Sequence, residues 1–121
     1  MALIKVQSTI NQRGLPTISF NKESGRIHIS RAFFEATGLQ YTKCGFYKSD
    51  TDRRDWYVRF HADENIPLKK LNDTGIINAK QVCIDMERCG LSVNGKYQIS
   101  TSAIKLDDMD VYPIITRKNL K

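Results

Sequence analysis

The residues with catalytic or metal-binding potential are few and scattered along this chain of 121 residues. His28 lies inside an alternating apolar–polar run and His61 at the end of another, neither with an adjacent acidic or cysteine partner. A zinc site needs about four N, S or O ligands, and no local cluster supplies them. Cys44, Cys83 and Cys89 are odd in number and lack CxxC spacing. They are read as reduced, partly buried thiols. Asp107, Asp108 and Asp110 lack the spacing and glycine of an EF-hand loop, so a solvated turn is expected there. No P-loop, GxSxG, HExxH or GxGxxG pattern occurs. The reading is therefore not an enzyme, with no cofactor and no metal.

Cations are the more informative chemistry. Nineteen Lys and Arg stand against thirteen Asp and Glu, a formal charge of +6. Residues 1–61 hold ten basic and five acidic side chains, and residues 62–121 hold nine and eight, so the excess lies in the first half. A basic surface attracts a polyanion by releasing its condensed counterions, which makes nucleic acid the natural partner. Lys22, Arg26 and Arg31 are expected near one end of a strand unit, and Lys48, Arg53 and Arg54 on a second hairpin. Short β-ribbons enter the major groove while flanking cations grip phosphates. For Arg26 the structural alternative is an ion pair with Glu23 or Glu35.

The elements that must position these cations follow from periodicity. Thr17–Phe20 reads as a strand, joined through Asn21–Gly25 to Arg26–Ser30, with Gly25 expected at positive φ. Ser30 is placed to cap a helix over Arg31–Thr37, which Gly38 ends. Gly45–Lys48 and Trp56–Phe60 form a second hairpin across a polar turn. Residues 62–77, with Pro67 and sparse apolar anchors, read as a linker. Asn78–Cys89 reads as a helix capped by Asn78 and Gln81, with Val82, Met86 and Cys89 as its apolar stripe. Asn94-Gly95 marks a hairpin. In Val111–Thr116, Pro113 argues for an edge strand, and Arg117–Lys121 is expected to be a mobile tail. Ala2–Ile10 is read as a short strand or arm.

The run Asn21–Leu39, NKESGRIHISRAFFEATGL, resembles the SpoVT/AbrB-type swapped-hairpin domain of bacterial transition-state regulators and MazE-type antitoxins. Gly25, Arg26, Ile27, Ile29, Gly38 and Leu39 match its G-R-[IV]-x-[IV]-P-x-x-[LIV]-R-x-x-[LIV]-G-[LI] pattern in order and spacing, with Phe33 as the apolar residue at its first [LIV] position after the proline. Ser30 stands where the family usually has proline, and Phe34 where it often has arginine. The resemblance spans about residues 17–61. It implies a mostly β fold with short helices, an AbrB-like swapped-hairpin β-barrel. It also implies a homodimer whose paired loops contact double-stranded DNA, with Arg26 carrying over best. Gly95–Ser100 aligns on Gly25–Ser30 without gaps, so a degenerate second copy over residues 91–116 is a further expectation. Proteins of the MraZ type carry two such units per chain. Their D-x-x-x-R signature is absent here, since Lys22 precedes Arg26 and Ser92 precedes Lys96.

The expected organisation is thus residues 1–61 as a hairpin–helix–hairpin unit with an arm, 62–77 as linker, and 78–121 as a helix plus a second hairpin unit. No apolar run approaches the roughly 20 residues that span a bilayer, and a cytoplasmic protein without a membrane partner is expected. The functional expectation is double-stranded DNA binding by a small transcriptional regulator or antitoxin-like repressor. Two alternatives stand beside it. One is a phage or mobile-element assembly module that docks a protein through the C-terminal half. The other is single-stranded nucleic-acid binding with Phe46, Trp56, Tyr57 and Phe60 as stacking rings, although core or dimer-interface packing is the preferred reading of these aromatics.

Overall fold

The computed structural model describes residues 15–120, with side chains described through Thr116; the arm expected over Ala2–Ile10 lies outside them. Nine strands form: β1 (Thr17–Asn21), β2 (Arg26–Ile29), β3 (Lys43–Lys48), β4 (Trp56–Phe60), β5 (Ile66–Leu71), β6 (Thr74–Asn78), β7 (Lys96–Ile99), β8 (Ile104–Leu106) and β9 (Met109–Leu120). Helix α1 (Arg31–Thr37) follows β2, and α2 (Lys80–Arg88) follows β6. Alternation along the strands decides their facing. Ile18 and Phe20 on β1, Ile27 and Ile29 on β2, and Trp56, Val58 and Phe60 on β4 are buried, with more exposed residues between them.

The strands run β4-β3-β5-β6-β2-β1-β7-β9, and β4 pairs with β9 to close a ring of eight, all antiparallel. Closure leaves no edge strand within the ring. β8 hangs from β9 outside it. The described residues therefore form a mostly β barrel with two short helices, as expected. Its core joins the inward strand residues to Phe33 and Phe34 of α1 and to Cys83 and Met86 of α2. The Phe33 ring lies 5.3, 5.4 and 5.2 Å from those of Phe34, Phe60 and Tyr112.

The two halves have one plan. β1-β2-α1-β3-β4 and β5-β6-α2-β7-β9 share an element order, and exchanging them leaves the pairing pattern unchanged. β2 pairs with its counterpart β6 and β4 with β9, while β1–β7 has its image in β5–β3. Around the ring, hairpins of the first and second halves alternate. One chain thus supplies both halves of an interleaved barrel.

Several expectations change. Residues 62–77 contain β5 and most of β6, not a linker. Their turn, Asn72-Asp73, takes φ of 54° and 65° without glycine, a conformation that Asn and Asp tolerate better than most L-residues. The second half of this shared plan consequently starts at β5, earlier than the residue 91 expected for a second copy. β6, not the Gly95–Ser100 segment, takes the place of β2, and β7 takes that of β3. Asn94-Gly95 makes no hairpin turn: the carbonyls of Val93 and Gly95 accept from the amides of Lys22 and Phe20, and Asn94 Oδ1 accepts from Lys22 as well. Asn78 ends β6 instead of capping α2, and Gln81 donates to Asp85 at 3.0 Å. Ser30 occupies the N-cap position of α1, yet its hydroxyl accepts from the Thr17 amide at the start of the adjacent strand β1.

Pro113 lies inside the ring, opposite Tyr57. Its carbonyl accepts from Ser100, so its nitrogen faces the same side, where β9 changes partner between β8 and β7. A missing donor is tolerated at that gap. The tail expected to be mobile instead continues β9 to Leu120, opposite Lys96.

Candidate nucleic-acid interface

Arg26 opens β2 on the outer face of the barrel. Gly25 before it adopts φ of 76°, and a Cβ there would lie 2.7 Å from Lys80 Cβ. The turn therefore packs against the start of α2, and the Ala79 amide donates to the Gly25 carbonyl. This packing needs a residue without a side chain and sets exposed Lys80 beside exposed Arg26.

Across this wall, register aligns outward residues in rows. Lys69 on β5 faces Ile76 on β6, which faces His28 on β2, then Ser19 on β1, then Lys96 on β7. In the adjacent row Asn78, Arg26 and Asn21 are neighbours. The five strands β5, β6, β2, β1 and β7 contain Lys69, Lys70, Arg26 and Lys96 but no Asp or Glu. Lys70 belongs elsewhere, since its ammonium sits 4.3 Å from the Phe34 ring centroid and donates to the Leu39 carbonyl. The outer face thus presents Arg26, Lys69 and Lys96, with Lys80 at its edge. Among the described residues none of these four forms an ion pair, so neither Glu23 nor Glu35 neutralises Arg26.

The other expected cations lie apart or are occupied. Lys22 reaches Glu87 of α2 at 2.5 Å. β2 and β6 are antiparallel, so α1 and α2 leave from opposite ends of the pair, and Arg31 stands away from Lys22. It meets Glu35 at 3.1 Å and Asp73 at 3.9 Å. Arg53 donates to the Arg88 carbonyl at the end of α2, a favourable place for a cation. Arg54 is exposed beside it, and its carbonyl accepts from the Thr116 hydroxyl. Lys48 ends β3. In the ring β4 stands four strands from β2, so the β3–β4 hairpin occupies the opposite wall. The structure accordingly separates Lys48, Arg53 and Arg54 from the face of Arg26.

Lys69, Lys80, Lys96 and His28 belong to the face, yet sequence reasoning does not mark them as binding residues. Their signal is cross-strand register, which appears only once β5 and β6 are known to be strands. Trp56 and Phe60 are buried, and the Trp56 indole donates to the Arg53 carbonyl. These rings pack the core instead of offering a stacking surface.

The three cysteines are buried and free. Burial, with the nearby Glu64 charge, pushes the Cys44 thiol up to about 12, so it stays protonated and unreactive at neutral pH. Among the described residues no group of three or more His, Cys, Asp or Glu side chains could hold a metal, and no helix is long and apolar enough to cross a membrane. No protein-family model matches the chain, and neither a curated protein nor a solved structure is significantly similar to it.

Proposed function

We propose that the protein binds double-stranded DNA through the outer face of β5-β6-β2-β1-β7, acting as a small transcriptional regulator or antitoxin-like repressor. The observation that carries this reading is a five-strand face with exposed cations and no carboxylate. Lys69 and Lys96 end one row four strands apart in the ring of eight, so they stand on opposite flanks of the barrel, with the wall of β6, β2 and β1 between them. Arg26, with His28 and Ser19 on the neighbouring strand positions, faces the duplex from the middle of that wall, and Lys69 and Lys96 stand at its two flanks. Interleaving of the halves supports the AbrB-like resemblance, because it is the arrangement of a swapped-hairpin dimer supplied by a single chain.

The test is duplex titration over a range of salt. If Arg26, Lys69, Lys80 and Lys96 each neutralise one phosphate, log K falls against log salt with a slope of about −3 to −4. No binding to mixed-sequence or genomic duplexes at low salt ends the proposal. A protein-docking role keeps one specific support, the outer strand β8 with exposed Ile104 and Leu106. Retention of a stoichiometric protein partner after nuclease treatment would favour that role.

A further inference from the structure

β4 and β9 are paired only over Trp56–Val58 and Tyr112–Ile114. On the other side of Tyr112, β9 follows β8, from Ile104 opposite Val111 to Leu106 opposite Met109. The seam of the barrel opens there into a cleft of about 280 Å³. Buried Phe60 lines it, with its ring 5.7 Å from that of Tyr112. The rings of Tyr41 and His61 also line it and are stacked, 5.9 Å apart with 21° between their planes. Asp108 and Asp110 add two exposed carboxylates.

Aromatic faces and carboxylates together select one ligand chemistry. A ring face attracts a cation through its quadrupole, carboxylates repel an anion, and a wholly apolar ligand leaves them without a partner. Arg59 lines the cleft too, but its guanidinium is matched by Glu64 at 2.9 Å. Lys105 lies 3.6 Å from Asp110, with the two side chains 67% and 69% exposed; such a pair is weak and readily exchanged. The His61 ring is oriented by its Nδ1, which accepts from the Asp63 amide at 3.1 Å. Lys70 over Phe34 uses the same cation–ring attraction elsewhere in the chain.

We infer that this cleft binds an alkylated ammonium group, carried either by a small molecule or by a modified lysine side chain. The test records aromatic carbon–proton spectra of the full chain during titration with choline chloride, against sodium chloride at equal ionic strength. Saturable shifts at Tyr41, His61 and Tyr112 are expected, with a dissociation constant on the order of 1–10 mM. Tyr41→Ala and the pair Asp108→Asn with Asp110→Asn should each weaken binding about fivefold or more. Amide spectra verify folding, and Tyr41→Leu serves if the alanine variant is unfolded. A trimethyl-lysine tripeptide separates the sources: binding about tenfold tighter than choline indicates a protein side chain, and equal binding indicates a free small molecule. No saturable shift up to about 100 mM choline, identical shifts with sodium chloride, or full binding by the Tyr41 variant overturns the inference. DNA takes no part in these measurements.

Discussion

Glu64 lies over Gly45, and a Cβ added to that glycine would stand 2.6 Å from the glutamate Cδ. The carboxylate accepts from the Tyr47 hydroxyl at 2.6 Å and from Arg59 at 2.9 Å. The glycine thus leaves room for a polar clamp that ties β3, β4 and the loop before β5. Gly45→Ala is expected to destabilise the protein by about 1–3 kcal/mol through overpacking. Removing Glu64 relieves the clash, so the Gly45→Ala, Glu64→Ala double variant should be destabilised by less than the sum of the two single variants. Urea unfolding of all four proteins measures this, and strict additivity would disprove the close approach.

The Cys44 thiol lies beside the same clamp, and its dominant perturbation is burial. Its pKa rises from 9.0 unfolded to about 12 folded. Below about pH 9 both states are protonated and the shift does not change stability. As pH climbs from 9 toward 12 the unfolded thiol ionises first, so stability falls. Tyr47, Tyr57, Tyr97 and Tyr112 are shifted upward as well and act in the same direction. Melting temperature should therefore decline above about pH 9, with a shallower decline in Cys44→Ala. Equal slopes would mean that the thiol is not shielded.

The clamp was not legible in the sequence, whereas the first hairpin and α1 were, for a physical reason. In Arg26–Gly38 the local signals agree apart from the Ser30 hydroxyl: strand alternation at Ile27 and Ile29, a helix over Arg31–Thr37, and Gly38 at φ of 69°. β5 buries only Leu68 fully, and its turn carries no glycine, so alternation and turn chemistry are both faint there. Asn94-Gly95 is the opposite case. A strong local turn signal is overridden because β1 takes Val93 and Gly95 as hydrogen-bond partners. Arg26 was legible as a candidate through its place in the motif. The rest of its face was not, because Lys69 and Lys96 meet it only through the closure of the barrel.

That closure within one chain has a thermodynamic consequence. A barrel completed by a second chain would melt at a temperature that rises with protein concentration. Here β1–β7, β3–β5, β2–β6 and β4–β9 join the halves of the same chain. The melting temperature is expected to be constant over a hundredfold range of concentration, about two decades. A rise of several degrees across that range would show that stability depends on association between chains.

The Asn72-Asp73 turn joins β5 to β6 and therefore carries the symmetry of the barrel. Asp73 holds φ of 65°, where a β-branched residue meets its own backbone. Asp73→Val should cost about 1–2 kcal/mol, while Asp73→Gly should stay within about 0.5 kcal/mol of the parent. Its ion pair with Arg31 is exposed and 3.9 Å long, so removing it contributes little. Chemical denaturation distinguishes the two variants, and equal destabilisation would refute a backbone origin.

Arg26 and Arg31 provide the sharpest test of the DNA proposal, because they are near in sequence and differ in surroundings. Arg31 has Glu35 at 3.1 Å and Asp73 at 3.9 Å, whereas Arg26 shares an outer face without carboxylates. A phosphate approaching Arg31 must compete with those neighbours. Reversal by Arg26→Glu should therefore weaken duplex binding much more than Arg31→Glu. Combining Arg26→Glu with Lys96→Glu should lower the salt slope by about 2 in magnitude, one for each phosphate that is no longer neutralised. Both positions are exposed, so folding should survive, which circular dichroism checks directly. Equal weakening by the two single reversals would mean that the face is misassigned and that binding follows net charge alone.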